Sequence, residues 1–429
     1  MSDFKFIHAA DLHLDSPFKN ILSLNPELGD VLRKSSVAAF HNLVDICIQE
    51  EIDFLLVSGD SFDSGSGSLA AQNIFIGGMR KLEDANIRVY IICGNHDPLS
   101  SWSRALKLPA NVHRFESGSP QFQLFEKNGK PAAAIHGVSF KEREEKRNLA
   151  VQFSKKSGHP FSIAMLHGNL GQNTGHEPYC PFIAEDLRAS EMDYWALGHI
   201  HKREVVLEGI PTAVYPGNLQ GRHFNEPGEK GSYLVEVENQ SVSNLYFKSL
   251  APLIFHRKSI DLSNTHDLAS FIVLLENLKL ELEEEMPEHS HLIKAEFTGR
   301  TQLFQVLMDE TELTELFGQL NESINYDQPF VYFDLPKNRT GPFIDLEQRK
   351  QSSDFLADLL NEFERLTGDK ELLREILAEI TAELSSHQSY KYIKKYLAEV
   401  EGENSYPTIL ESARQKCLSG LFAHEKKSQ

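Results

Sequence analysis

Apolar, β-branched runs recur along the first 200 residues, and each stops abruptly at a polar cluster. FKFIHAA precedes Asp11, DFLLVSGD runs to Asp60, IRVYIIC precedes Gly94, SIAMLHG runs to Gly168 and DYWALGH ends at His199. Runs this continuously apolar predict strands buried on both faces. Residues 28–50 and 68–86 instead place apolar positions at helical spacing. Strand and helix in alternation predict an α/β layered core, where ligands gather at the carboxyl ends of the strands. Those ends are where the unusual polar residues fall.

Residues 203–250 change character. Short β-like runs broken by Pro-Gly and Gly predict antiparallel strands completing a second sheet. Residues 251–345 mix strands (LIFHRKSIDL, HLIKAEFTG, PFVYFDL) with an acidic amphipathic helix at 266–285, and read as a separate small α/β domain. Beyond the NRTGP loop at 338–342 the pattern is helical. Phe355, Leu356, Leu359, Leu360 and Phe363 share one face; Leu373, Ile376, Leu377 and Ile380 share another, with Gly368 between the helices. The expected division is therefore 1–250, 251–345 and a helical region at 346–429.

A length of 429 residues agrees with two or three domains. Hydrophobic content of 41% and charged content of 24% are those of a soluble globular chain. No apolar run reaches the roughly 20 residues that span a bilayer, so no membrane is expected. The start, MSDFKFIHAADLHL, lacks the pattern of a secretion signal, which leaves the cytoplasm as the expected location. Cys47, Cys93, Cys180 and Cys417 are far apart and form no C-x-x-C pair, against a disulfide framework or a zinc–thiolate site. The formal net charge of −19 argues against nonspecific coating of nucleic acid. Residues 1–250 carry only about −6 of it, however, and several of their acids look like metal ligands whose charge a cation would cancel. A nuclease is not excluded.

In order, the strand ends are Asp11-Leu12-His13, Gly59-Asp60-Ser61-Phe62-Asp63, Gly94-Asn95-His96-Asp97, Leu166-His167-Gly168-Asn169 and Gly198-His199-Ile200-His201. Singly, each has a plain structural reading: a capping Asp, a strand-to-loop turn, a core histidine. All five at strand ends have few structural uses together. Carboxylate, imidazole and one amide oxygen without thiolate suit Mn²⁺, Fe²⁺ or Zn²⁺ better than Ca²⁺. In an extended chain residues i and i+2 point the same way, so D-x-H and H-x-H are expected to aim two side chains into one cavity. Asp60, with two oxygens and a glycine before it, is the natural bridge between two ions. Gly59, Gly94, Gly168 and Gly198 are expected to make the sharp turns.

The order D-x-H, G-D-x-x-D, G-N-H-D, H-G-N, G-H-x-H resembles the calcineurin-like metallophosphoesterases. More narrowly it is similar to the SbcD-type DNA-repair exonucleases and their bacterial YhaO-like group, through ADLHLDSPF (10–18), HEPYCPFIAEDL (176–187), DYWALGHIHKREVV (193–206) and YPGNLQGRHFNEPGEKG (215–231). The resemblance covers residues 1 to about 250 well; beyond that the chain matches only in layout. It implies a four-layer core of two sheets sandwiched by helices, with a small α/β capping domain and C-terminal helices. It also implies a two-metal hydrolase: Asp11, His13 and His201 hold one ion, Asn95, His167 and His199 the other, with Asp60 bridging and Mn²⁺ the working ion. His96 resembles the family's catalytic histidine, which faces the scissile phosphate, and Asp97 is expected to orient it. Asp63 is expected to stand behind a metal-bound imidazole. Arg222 and His223 are expected to meet the DNA backbone, with a solvated turn as the alternative. KEREEKR at 141–147 reads as a solvated helix end.

The activity implied is a DNA nuclease, exonuclease or endonuclease, in DNA repair. Its implied partner is an SMC-like ATPase docked on the C-terminal helices, and a homodimer is compatible with the sequence. A self-contained helical cap is the plainer reading of those helices. The alternative function is a small-molecule phosphodiesterase or phosphomonoesterase of the same superfamily; a scaffold that recognises DNA ends without cutting is a third. The long extension and the 215–226 loop speak for the nuclease.

Overall fold

The structure is a computed structural model, which describes residues 3–16, 26–63, 65, 67–102, 107–171, 179–343, 350–351, 355–385, 410–414 and 416–418. Much of the helical region expected at 346–429 lies outside the described residues, as do parts of the 10–18 and 176–187 motifs. Two compact units divide the chain: Met1–Arg257 with Glu281–Ile293 and Ile324–Tyr332, and Lys258–Leu280 with Lys294–Ser323 and Phe333–Gln429.

The first unit opens with the predicted alternation: β1 (Phe4–Ala9), α1 (Pro26–Gln49), β2 (Phe54–Ser58), α2 (Leu69–Asp84) and β3 (Arg88–Ile92). There follow β4 (Val112–Arg114), β5 (Gln121–Lys127), β6 (Lys130–Gly137), β7 (Phe161–His167), α3 (Ala184–Ala189) and β8 (Tyr194–Gly198). Then come β9 (Glu204–Leu207), β10 (Thr212–Tyr215), β11 (Gly231–Glu238) and β12 (Ser241–Ser249). They form two six-stranded sheets, ordered β12-β11-β1-β2-β3-β4 and β5-β6-β7-β8-β10-β9. Each has four parallel strands: β1–β4 in the first, with the antiparallel β11–β12 hairpin on one side, and β6, β7, β8 and β10 in the second, with antiparallel β5 and β9 at its edges.

Side-chain alternation builds the layers. Phe6, Phe54, Leu56, Tyr90 and Ile92 meet Phe161, Ile163, Met165, Tyr194 and Ala196 in the core between the sheets. The intervening Ile7, Leu55, Val57, Val89 and Ile91 pack on α1 and α2 through Phe40, Leu43, Val44 and Phe75. On the outer side of the second sheet, Ala164, Leu166, Trp195 and Leu197 pack with Leu187 of α3. The expected four-layer α/β core is therefore what forms. Residues opposite in period 2 serve different cores, which is why the runs read as continuously apolar.

Some expectations are corrected. Residues 203–250 were expected to complete the second sheet, but only β9 and β10 do so, and β10 lies parallel to β8. The β11–β12 hairpin instead adds to the first sheet beside β1, because Val235 and Val237 supply apolar side chains to the inter-sheet core there. β4–β6 were not read from the sequence; the QFQLFEK of β5 is largely exposed and carries no clean pattern. KEREEKR is a loop, where the Arg147 guanidinium pairs with Glu145 at 2.6 Å.

The three strands expected after residue 250 are present as β13 (Leu253–Asp261), β14 (Ser290–Thr298) and β15 (Val331–Asn338), which form one sheet in that order. The expected acidic helix is α4 (Leu268–Glu285). Within the second unit Phe271, Phe297, Phe317 and Phe333 pack edge-on or tilted. Its described C-terminal helices run Phe355–Gly368 and Lys370–Ser385; the expected separator Gly368 closes the first, and the break itself falls on Asp369. No helix among the described residues is long and apolar enough to cross a membrane.

Candidate metal centre

The carboxyl ends of β1, β2, β3, β7 and β8 converge where the two sheets touch. His167 Nδ1 donates to the Ser58 carbonyl at 2.9 Å, joining the last residue of β7 to the last of β2. A Cβ on Gly198 would run into that same carbonyl, so glycine at the end of β8 is what lets the sheets close. A Cβ on Gly94 would strike Asp60 and His167. Of the four glycines expected to make turns, only Gly59 has a positive φ, at 92°; the others provide room. The left-handed backbone falls on the polar residues themselves: Asp11 (φ 52°), His13 (43°), Asp60 (51°) and His199 (96°). Each costs of order 1–3 kcal/mol, strain that clusters at functional sites. The D-x-H segment therefore does not aim its side chains by extended alternation. It curls, with His13 N donating to the Asp60 carbonyl at 3.1 Å.

Two groups of ligand atoms result. In the first, the Nε2 atoms of His13 and His201 face each other at 3.1 Å. Asp11 Oδ1 lies 3.9 Å from His201 Nε2, and Asp60 Oδ2 lies 3.9 Å from His13 Nε2. In the second, Asn95 Oδ1 is 3.0 Å from both His167 Nε2 and His199 Nδ1, and Asp60 Oδ2 is 3.3 Å from His167 Nε2. Asp60 Oδ2 thus faces both groups, while its Oδ1 accepts from the His96 backbone N–H at 2.9 Å. All seven expected metal ligands come together, nearly all buried.

The donor chemistry fits divalent cations. The Nδ1–H of His167 is spent on Ser58, so its Nε2 is the nitrogen that faces an amide oxygen and a carboxylate, and it becomes a lone pair wherever a cation displaces its proton. His201 Nδ1 lies 2.7 Å from Glu226 Oε1 and His13 Nδ1 lies 3.2 Å from Asp63 Oδ1. A proton held on His201 Nδ1 leaves its Nε2 as a lone pair, while His13 Nδ1 makes no aligned hydrogen bond to Asp63. Buried acceptors in mutual contact repel unless a cation stands among them. The titration tendencies agree. Burial and the Arg222 charge push His13 down to about 3, the neutral ligand form. Burial opposes charge on His167, but Asp60 and Asp11 outweigh it and raise it to about 9, a proton doing there what a metal ion would do better.

His96 sits at the rim, its side chain about 31% exposed and its ring edge-on to His13. Its Nδ1 is 2.7 Å from the Asp63 carbonyl oxygen, which leaves Nε2 to face outward chemistry. The expectation that Asp97 orients His96 is overturned. The buried Asp97 carboxylate accepts from the backbone N–H groups of Gly94 (2.8 Å), Asp60 (3.1 Å) and Ser61 (2.9 Å), pinning two strand ends together. Three converging backbone donors outcompete a neighbouring imidazole for one carboxylate.

Arg222 was expected at the DNA backbone, but its guanidinium lies inward, 2.7 Å from Asp63 and 3.7 Å from Glu226. His223 is half exposed, with Nε2 3.5 Å from Glu226. Glu226 was missed in the sequence, although NLQGRHFNE places it eight residues after Asn218, whose amide it accepts at 2.8 Å. Also missed was His8, buried between the sheets on Tyr194 and Ser58.

Comparison with known proteins agrees with this geometry. The Calcineurin-like phosphoesterase family pattern matches residues 4–203. The chain is 40% identical over 277 residues to a protein of Bacillus subtilis called uncharacterized metallophosphoesterase YhaO, a match covering 65% of this chain and 68% of that one. It is 26% identical to the DNA double-strand break repair protein Mre11 of Sulfurisphaera tokodaii, over 55% of this chain and 60% of that one. The Mre11 of Methanocaldococcus jannaschii is also 26% identical, over 78% and 85%.

Titrating the metal-free chain with Mn²⁺ is expected to raise its melting temperature, with a gain of about 2.7 kcal/mol at 100 times Kd, reversed by chelation. Asp60→Asn should lose most of that gain. A wild-type chain that melts identically with and without Mn²⁺ would contradict a cation site here.

Proposed function

Because the chain belongs to the calcineurin-like phosphoesterase family, we propose that it hydrolyses phosphodiester bonds of DNA as a two-metal nuclease in DNA repair. The observation that carries the reading is the pair of acceptor groups meeting across Asp60 Oδ2. Two divalent ions, Mn²⁺ by preference, would be held by Asp11, His13 and His201 and by Asn95, His167 and His199, with Asp60 shared. When bound they neutralise phosphate oxygens and acidify water. DNA as substrate is supported by the likeness to two proteins named for double-strand break repair.

The chain's own contribution is positional. Asp97 fixes the turn carrying Asn95 and His96, and the Asp63 carbonyl fixes the His96 ring. With Nδ1 so engaged, a protonated His96 offers Nε2–H to the phosphate or to the departing sugar oxygen, an effect worth roughly 10²–10⁴-fold. We assign residues 1–250 to the nuclease domain, 251–345 to a cap and 346–429 to the dock of an SMC-like ATPase. Support for the dock comes from helix Phe355–Gly368, where Phe355 is largely exposed beside the buried Leu356 and Leu360.

A Mn²⁺-dependent assay on labelled duplex DNA, single strands, RNA and a chromogenic phosphodiester should show cleavage of DNA. Hydrolysis of the small ester alone would favour a small-molecule phosphodiesterase. His96→Ala is expected to keep its metal and lose 10²–10⁴-fold in turnover; loss of both ions from that variant would make His96 a ligand. Truncation near residue 345 should abolish capture of the ATPase, and unchanged capture would refute the dock.

A further inference from the structure

We propose that Glu226, Arg222 and Asp63 form a charge-bridged brace that governs one ion of the pair and not the other, namely the ion between His13 and His201. The proposal deepens the two-ion reading and rests on it. Glu226 is only 8% exposed. Its Oε1 lies 2.7 Å from His201 Nδ1, and its Oε2 accepts from Asn218 Nδ2 and from the Arg222 backbone N–H, each at 2.8 Å. Asp63 Oδ1 stands 3.2 Å behind His13 Nδ1 and 2.7 Å from Arg222 Nη1. Arg222 Nη2 lies 3.7 Å from Glu226 Oε1 and 3.3 Å from His201 Nδ1. One guanidinium therefore spans the two carboxylates that stand behind two imidazoles.

The consequence is mechanical. Neither ring can rotate its Nε2 away from the other without breaking a contact to a carboxylate that Arg222 holds. A carboxylate behind a ligating imidazole fixes its tautomer and strengthens it as a donor, and its loss costs 10–100-fold in metal affinity. Two such anions side by side would repel, and a planar guanidinium joins them in a way that a lysine ammonium does not. The other half of the centre is built differently: His167 is oriented by a backbone carbonyl, that of Ser58, which no side-chain substitution removes. The three residues are positioning residues with no contact to substrate required of them. Their effect should be confined to one ion, whereas general loss of structure would weaken both.

The test is equilibrium dialysis of the full-length, metal-free chain against Mn²⁺, with electron paramagnetic resonance to separate a coupled Mn²⁺ pair from isolated ions. The wild type should bind two ions and show the coupled signal. Glu226→Gln and Arg222→Met should each keep one ion at wild-type affinity and weaken the other by about 10–100-fold, leaving the six-line spectrum of an isolated ion. Arg222→Lys should behave as Arg222→Met. Metal-free melting curves monitor folding; should Glu226→Gln fail to fold, Asp63→Asn, at a more accessible position, must give the same loss of one ion. Equal weakening of both ions would overturn the brace. So would unchanged metal binding with a raised KM for DNA in Arg222→Met, which would return Arg222 to the substrate. A wild type that binds no Mn²⁺ would sink the two-ion reading itself, and the brace with it.

Discussion

One hydrogen bond between the sheets sets the rest of the centre: His167 Nδ1 to the carbonyl of Ser58. It ties β7 to β2, fixes the imidazole tautomer and turns Nε2 toward Asn95 and Asp60. The approach works only because Gly198, next in the second sheet, has no side chain to collide with that carbonyl. A protein interior is packed too tightly to absorb the missing volume elsewhere. The site is thus a product of how closely two sheets stack, with large aromatic side chains such as Phe6, Phe54 and Tyr194 setting their spacing below it.

Charge is the second constraint. Asp11, Asp60, Asp63, Asp97 and Glu226 crowd into one mostly buried region, and each needs a compensating partner. Asp97 finds three backbone N–H groups, while Asp63 and Glu226 share Arg222. Asp11 also accepts from a backbone N–H, that of His199. Asp60 keeps one oxygen on a backbone N–H and points the other at the Nε2 atoms of His13 and His167. That remaining oxygen is the place where a cation does most to lower the energy of the folded chain. The positive φ angles at Asp11, His13, Asp60 and His199 are strain borne by the candidate ligands themselves.

The core architecture was legible, and so was the gathering of carboxylate, amide and imidazole side chains at the strand ends, because both are written in local pattern. Apolar runs ending in Asp, Asn or His mark strand ends, and the helices 26–49 and 69–84 fall almost where periodicity puts them. Neighbours in sequence do not serve each other here. Asp97 adjoins His96 yet turns to the backbone, and D-x-H does not project as an extended strand would. Arg222 looked like a surface cation because nothing local reveals that Asp63, 159 residues away, lies 2.7 Å from it.

By itself, then, the sequence determined which residue types could gather at the strand ends and that no thiolate would be among them. Hydrophobic periodicity and strand-final position are properties of adjacent residues, and they survive without any knowledge of the fold. Only the tertiary structure decided how those residues divide their work: which carboxylate supports which imidazole, which glycine serves space rather than a turn, and that Glu226 belongs to the centre at all. Those assignments depend on distances across two stacked sheets and on competition among donors for a limited number of buried acceptors. Neither quantity exists along the chain until it has folded.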